Sequence, residues 1–211
     1  MCAGIAFTDT TGQLSVPGRV HTVVHTRMLD ITVVREADTL VGVFFPDQIG
    51  ELPADVLGER VDDGFETIVA QLEAYLAGYR LSLDVEMVAD GTAFEAAVWQ
   101  AAVEIPYGET RTWAEVAFDL GDGVTPDQVG AALEACPLSV FIPTHRLLRG
   151  TGDLGGYAGG SPRRNVLLVV EERNRPVPPM DLSQVDWDDL NYSPATSPVL
   201  SARVSVAGVA A

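Results

Sequence analysis

The sequence predicts an α/β N-terminal domain followed by a mainly α C-terminal domain with winged-helix/helix-turn-helix character. Three observations predict it: β-branched segments cluster between residues 20 and 45, amphipathic helical segments follow them, and two short helices flank a Gly-containing turn. At 211 residues the chain is long enough to bury a core without a disulfide or metal. We place the domains at 1–90 and 91–173, with an acidic, Pro-containing tail at 174–211.

The N-terminal domain is predicted from three strands, a loop and one helix. The strands are VHTVVHTR, LDITVVRE and TLVGVFFP, which are rich in β-branched residues, and Ala37-Asp38 suits a tight turn between the last two. Two prolines and two glycines predict a loop over residues 46–62. The helix is FETIVAQLEAYLAGY, where apolar residues recur at helical spacing and Gly78 lies near the C-terminal end.

The C-terminal domain is predicted from four helices and two connecting segments. Thr92 is an N-cap for the first helix, and TWAEVAFDL forms the second. After the turn GDGV, Thr125 and Pro126 start the third helix, DQVGAALEA. The apolar run LSVFIP and a Gly-rich loop follow, and Ser161-Pro162 caps a last helix, RRNVLLVVEE.

Charge and composition exclude several classes of function. The 30 Asp and Glu residues outnumber 13 arginines, there is no lysine, and the net charge of −17 opposes nucleic-acid binding. Cys2 and Cys136 are too few for a disulfide framework and suit a reducing compartment. No apolar run reaches the ~20 residues of a membrane span and no signal peptide is evident, so we expect a cytoplasmic protein.

We expect neither a metal nor a cofactor. His21 and His25 share one face of a predicted strand, but two ligands without a third are weak support for a metal site.

Five motifs follow one another between residues 92 and 171. They are Phe94…Val98-Trp99, Ile105-Pro106-Tyr107-Gly108-Glu109-Thr110, Ile142-Pro143-Thr144-His145-Arg146, Gly155-Gly156-Tyr157-Ala158-Gly159-Gly160 and Leu167-Leu168…Glu171. In order and spacing these motifs resemble the O6-alkylguanine-DNA alkyltransferase family (methylated-DNA–protein-cysteine methyltransferases). The resemblance implies an alkyltransferase-like fold in which residues 20–90 form the family's N-terminal α/β domain. The segment from about residue 174 has no counterpart in that pattern.

The resemblance also shows where the sequence departs from the family. The family flips an alkylated guanine out of DNA and moves the alkyl group to a cysteine in a Pro-Cys-His-Arg motif. This chain has Thr144 where the cysteine belongs. A threonine hydroxyl is far from ionisation at neutral pH, so we predict that alkyl transfer to the protein is lost.

Three further departures affect DNA contact and the pocket. Asp127 matches the arginine that fills the gap left by the flipped base, Cys136 matches an asparagine, and Trp113 matches a tyrosine. Between residues 104 and 149, seven carboxylates face three arginines, which is the wrong sign for a phosphate-binding surface.

The pocket residues of the family are otherwise retained. We expect Glu171 to hydrogen-bond one nitrogen of His145 and leave the other as a base, with Thr144 as a hydroxyl beside it. The candidate catalytic residues are therefore His145, Thr144 and Glu171. The candidate substrate-binding residues are Tyr157, Trp113, Cys136, Gly159, Gly160 and Arg146.

Three functions are open at this point. The first is a repurposed small-molecule enzyme that uses Thr144, His145 and Glu171 for acyl transfer, hydrolysis, cyclisation or acid–base chemistry. The second is a protein that binds O6-alkylguanine lesions in DNA for repair, although the charge and Asp127 disfavour DNA. The third is a catalytically inert binding or regulatory protein, in which His145 and Glu171 are a buried structural pair and Thr144 only packs. The expected partner is a small-molecule ligand in the pocket, and no membrane is expected.

Overall fold

The computed structural model describes residues 5–8, 18–26, 30–50, 52–150 and 155–176. The strands are β1 (Ile5–Thr8), β2 (Arg19–His25), β3 (Asp30–Glu36), β4 (Thr39–Phe44), β5 (Glu59–Arg60), β6 (Met87–Asp90), β7 (Arg111–Thr112) and β8 (Leu147–Leu148). The helices are α1 (Pro46–Ile49), α2 (Ala54–Leu57), α3 (Glu66–Leu76), α4 (Ala93–Val103), α5 (Trp113–Leu120), α6 (Pro126–Glu134) and α7 (Gly160–Arg173). None of the helices in these ranges is long and apolar enough to cross a bilayer.

A six-stranded mixed sheet forms the N-terminal half, in the order β1-β6-β4-β3-β2-β5. The three predicted strands are confirmed as the antiparallel meander β2-β3-β4, and Ala37 takes φ 51° in the turn between β3 and β4. Strands β1 and β6 were not predicted from the sequence, and they pair in parallel with Ile5 opposite Met87. Both are only four residues long, too short for alternation to identify them.

The predicted loop over residues 46–62 contains two single-turn helices, α1 and α2, and the two-residue strand β5. Pro46 occupies the first helical position of α1, where a missing backbone N–H costs nothing. Such short elements carry too few residues for periodicity to reveal them, and so the segment resembles a loop in sequence.

Helix α3 carries the buried face that its sequence periodicity predicts. Ile68, Leu72, Tyr75 and Leu76 are buried, and they join the same hydrophobic core as Leu40 of the sheet. Gly78, at φ +79°, follows the end of the helix, as expected for a left-handed C-terminal stop.

The helical half contains the predicted helix-turn-helix, α5 and α6. Thr92, Thr112 and Thr125 each close a capping box at the start of α4, α5 and α6, so the predicted N-caps at Thr92 and Thr125 are confirmed. Trp99 on α4 is fully buried, and its indole Nε1 donates to the carbonyl of Ala132 on α6 at 2.7 Å. Strands β7 and β8 pair in parallel as a small second sheet.

The apolar run LSVFIP forms a tight turn rather than a regular strand. The amide of Ile142 donates to the carbonyl of Leu138 at 2.8 Å, and Val140 takes φ 82°, which is rare for a β-branched residue. A 3₁₀ turn at Thr144–Arg146 follows directly. The segment is tied to the sheet because Val43 donates its amide to the carbonyl of Pro137 at 2.8 Å.

Helix α7 starts two residues earlier than the sequence suggests. Gly159 is its N-cap without a side-chain cap, and Ser161 and Pro162 lie in its first turn. The φ of +75° at Gly160 explains why a glycine follows the N-cap.

Strand β6 ends at Asp90 and helix α4 begins at Ala93, and both halves belong to one compact unit, Met1–Arg175. The division into domains at residue 90 stays a prediction. Residues 177–211 of the predicted tail lie outside the described residues.

Candidate active site

The candidate active site forms where the 3₁₀ turn at Thr144–Arg146 meets helix α7. Thr144, His145 and Glu171 have no solvent exposure, and Arg146 is 7% exposed. Two ionisable groups and a guanidinium are therefore held in a dry environment. In such an environment they have to satisfy one another, because unpaired buried charges are costly.

His145 and Glu171 make the contact that the sequence predicts. Nε2 of His145 lies 2.7 Å from Oε1 of Glu171. An ionised carboxylate only accepts hydrogen bonds, so Nε2 carries the proton and donates it. In the neutral imidazole the other nitrogen, Nδ1, is then the one without a hydrogen.

Arg146 donates hydrogen bonds to the same carboxylate. Its Nε lies 2.9 Å from Oε2 and its NH2 group lies 3.0 Å from Oε1 of Glu171, while NH1 donates to the carbonyl of Ile105 at 2.6 Å. Its guanidinium neutralises Glu171 and fixes the loop that follows α4. The role of Arg146 as a candidate substrate-binding residue stays a prediction.

Two further donors to Glu171 are not predicted by the sequence. The hydroxyl of Tyr75, on α3 in the N-terminal half, donates to Oε1, and the amide of Gly108 donates to Oε2 at 2.9 Å. Tyr75 gave no sequence signal because a buried tyrosine on an apolar helix face looks like ordinary core. Gly108 lies in a quoted motif, but the contact is made by its backbone, which is the same in every residue.

The network sets the protonation states of its members. Burial raises the pKa of Glu171, but the hydrogen bonds from His145 and Arg146 and the positive charge of Arg146 outweigh this and lower it to about 2. Burial lowers the pKa of His145, and its hydrogen bond to Glu171 opposes that shift only in part. At neutral pH the site therefore holds a carboxylate, a guanidinium and a neutral imidazole.

Thr144 and His145 each have one buried polar atom that the network around Glu171 does not use. Oγ1 of Thr144 and Nδ1 of His145 are both buried without a hydrogen-bond partner among the described residues. Buried polar atoms are normally paired, so two such atoms on consecutive residues are unusual.

Tyr157 is buried and packs against residues from both the N-terminal half and the helical half. Its ring is 6.1 Å from the ring of Phe45, which follows β4, and the guanidinium of Arg164 lies 5.1 Å from its centre. Arg164 also donates to the carbonyls of Gly155 and Gly156, so it holds the Gly-rich loop. The hydroxyl of Tyr157 is buried without a partner among the described residues, and burial raises its pKa.

The glycines of this loop allow close packing. A Cβ on Gly159 would overlap the ring of Phe45, and one on Gly155 would lie 2.5 Å from the ring of Trp113. Trp113 is buried, and its indole donates to the carbonyl of Leu147 at 3.3 Å. Trp113 therefore packs the start of α5 against the Gly-rich loop.

Cys136 follows α6 and is buried, with 5% exposure. Burial raises the pKa of its thiol to about 12, so almost no thiolate exists at neutral pH. This environment is that of an inert thiol.

The exposed face of α6 is acidic. Its exposed residues include Asp127 and Glu134, and the carboxylate of Asp127 lies 3.8 Å from the guanidinium of Arg149. Within the described ranges, no group of three His, Cys, Asp or Glu side chains is arranged to hold a metal ion.

Sequence comparisons agree with the arrangement of motifs. A family model described as 6-O-methylguanine DNA methyltransferase, DNA binding domain, matches residues 93–173. A methylated-DNA–protein-cysteine methyltransferase of Methanosarcina barkeri is 40% identical over 124 residues, which cover 59% of this chain and 77% of the relative. The protein of that name in Mycobacterium bovis is 40% identical over 112 residues, covering 53% and 68%.

Solved structures show the same fold. Mycobacterium tuberculosis OGT in complex with DNA matches with a TM-score of 0.66 and 30% identity, covering 74% of this chain and 95% of that one. The O6-methylguanine-DNA methyltransferase of Pyrococcus kodakaraensis matches at 0.51 with 16% identity, covering 72% and 98%, which supports the fold alone.

Proposed function

Because this chain belongs to the methylated-DNA–protein-cysteine methyltransferase family, we propose that it binds an alkylated guanine base without taking the alkyl group onto itself. The observation that carries the proposal is the environment of Thr144. Its hydroxyl is fully buried beside a neutral imidazole, at the position where the family resemblance places the acceptor cysteine.

The electrostatics around Thr144 favour binding over transfer. Deprotonating the hydroxyl would place a positive charge on His145, and Glu171 would have to stabilise that charge. Arg146 already neutralises Glu171 at 2.9 Å, and burial disfavours the imidazolium. His145 is therefore too weak a base to activate a threonine hydroxyl, whereas a cysteine thiol ionises far more readily.

We propose alkylated guanine as the ligand because of the family. The negative charge of α6 then limits how much the DNA backbone can contribute to binding. Acidic side chains at Asp127 and Glu134 repel phosphates, so affinity for unmodified duplex should be low. The free energy of binding a lesion then has to come from the pocket and not from the DNA backbone. An uncharged alkylguanine base or nucleoside would meet no such repulsion.

The test compares the wild type with Thr144→Cys. With a duplex or a free base carrying a labelled O6-alkyl group, we expect wild-type protein to bind but remain unlabelled. We expect Thr144→Cys to become covalently labelled, and Thr144→Ser serves as the control that changes the side chain without adding sulfur. Labelling of the wild type at Thr144, or no preference of any variant for alkylated over unmodified guanine, would refute the proposal.

A second candidate is the repurposed enzyme, in which His145 performs acid–base chemistry on a small molecule. It is favoured by the two buried polar atoms without partners, Oγ1 of Thr144 and Nδ1 of His145, and by the acidic surface of α6. This candidate predicts turnover that His145→Ala abolishes, whereas pure lesion binding predicts no turnover in either protein.

A further inference from the structure

Among the described residues, the Glu171 carboxylate receives one donor from outside the helical half. His145, Arg146 and Gly108 all belong to the helical half, whereas Tyr75 comes from α3, 96 residues away in the chain. Tyr75 is 2% exposed, and its hydroxyl also lies 3.4 Å from Nε2 of His145.

Tyr75 and His145 use the same oxygen. Oε1 of Glu171 accepts from the Tyr75 hydroxyl, from Nε2 of His145 and from both Nε and NH2 of Arg146. A carboxylate oxygen offers about two lone pairs, so these four donor groups compete for it. A hydroxyl that donates to Oε1 therefore reduces the negative charge available to the imidazole.

We propose that Tyr75 is a positioning residue that orients Glu171 and limits its support for positive charge on His145, so that the imidazole stays neutral with Nδ1 open. Tyr75 acts through Glu171 and touches no ligand in this scheme. The inference rests on the proposed function only in taking His145 as part of the ligand pocket. The proposal implies that the N-terminal half contributes a residue, Tyr75, that the site needs.

The chain offers a matched control in Tyr107. The rings of Tyr75 and Tyr107 pack edge to face with centroids 5.8 Å apart, and the guanidinium of Arg146 lies 5.7 Å from the centre of the Tyr107 ring. The hydroxyl of Tyr107 is buried without a hydrogen-bond partner among the described residues. Replacing either tyrosine by phenylalanine removes one hydroxyl from the same cluster, but only Tyr75 donates to Glu171.

The experiment is a titration of the histidine ring protons by NMR. The chain has three histidines, so His145 is assigned by comparison with His145→Gln. The charged groups around His145 are Glu171 and Arg146, with Arg164 on α7 acting at longer range. We expect Tyr75→Phe to raise the titration midpoint of His145 by about one pH unit, the equivalent of one hydrogen bond to a charged group.

Tyr107→Phe should leave the His145 midpoint at its wild-type value. The signals of His21 and His25, both on β2, report whether each variant keeps its fold. Equal midpoints in Tyr75→Phe and Tyr107→Phe would overturn the inference. The titration needs no ligand. A shifted His145 midpoint in a protein that does not bind alkylguanine would therefore refute the proposed function and leave the role of Tyr75 supported.

Discussion

At the scale of single residues, the charges and hydrogen bonds of the site converge on the carboxylate of Glu171. It accepts hydrogen bonds from His145, Arg146, Tyr75 and Gly108 while having no solvent exposure. Removing one member of a buried ion pair leaves the other unpaired, which costs far more than the pair itself contributes. Glu171 is therefore a structural requirement as well as a candidate catalytic residue.

We predict that Glu171→Gln lowers the free energy of unfolding by about 3–5 kcal/mol at pH 7, because Arg146 is left buried without a counter-charge. Glu172→Gln, at the exposed neighbouring position, is the control and should change stability little. Urea denaturation of the three proteins measures the difference. Equal losses in both variants would contradict the assigned network.

The same residue gives the stability of the protein a defined pH dependence. The pKa of Glu171 falls from its ordinary value of 4.5 to about 2 on folding, so its ionisation stabilises the folded state above pH 4.5. That contribution is lost as the pH falls through the range from 4.5 to 2. The stability difference between wild type and Glu171→Gln should therefore shrink on acidification in the same urea experiment.

At the scale of elements, the helix-turn-helix depends on close contact between α5 and α6. Gly130 lies in the middle of α6, where glycine normally weakens a helix by about 1 kcal/mol relative to alanine. It is buried, and a Cβ at this position would lie 2.5 Å from the Trp113 ring. Packing between the two helices explains the glycine better than local propensity does.

Gly130→Ala should destabilise the protein by about 1–3 kcal/mol, because the added methyl group overpacks against Trp113. Ala131→Gly, at the exposed neighbouring position of α6, measures the helix propensity alone and should cost about 1 kcal/mol. Thermal unfolding monitored by circular dichroism measures both changes. A stabilised Gly130→Ala variant would show that the two helices pack less closely than described.

At the scale of the whole molecule, the net charge opposes binding to DNA, with which a relative of the same fold forms a complex. The chain carries a net charge of −17, and α6 exposes Asp127 and Glu134. Asp127 has Arg149 nearby at 3.8 Å, but such exposed pairs contribute little. The fold is that of the family, while the field around α6 has the opposite sign from a phosphate-binding surface.

Reversing this charge should create affinity for DNA. We predict that Asp127→Arg with Glu134→Arg tightens binding to unmodified duplex and makes it steeply salt-dependent, by about 0.9 in log–log slope for each phosphate contacted. The control, Asp62→Arg with Glu73→Arg, makes the same charge change at exposed positions in the N-terminal half. Fluorescence anisotropy at several salt concentrations separates the two. Equal gains in both variants would mean that net charge matters and the position on α6 does not.

Local signals were enough to predict much of the fold. Capping residues Thr92 and Thr125 and the periodicity of α3 act within a few residues of chain, so the helices they start or shape could be read from sequence. Strands β1 and β6 are too short for such signals, and their pairing joins segments about 80 residues apart.

In the site as well, some features could be predicted from the sequence and others could not. The sequence alone determined the hydroxyl at Thr144 and, through motifs at fixed spacings in one segment, the resemblance to the family. That resemblance in turn implied the pairing of His145 with Glu171. Only the tertiary structure decided that Arg146 neutralises Glu171, that Cys136 is sealed from solvent, and that Tyr75 on α3 completes the carboxylate's shell. Those facts depend on how separate segments pack, and burial and long-range pairing leave no pattern in the order of residues along the chain.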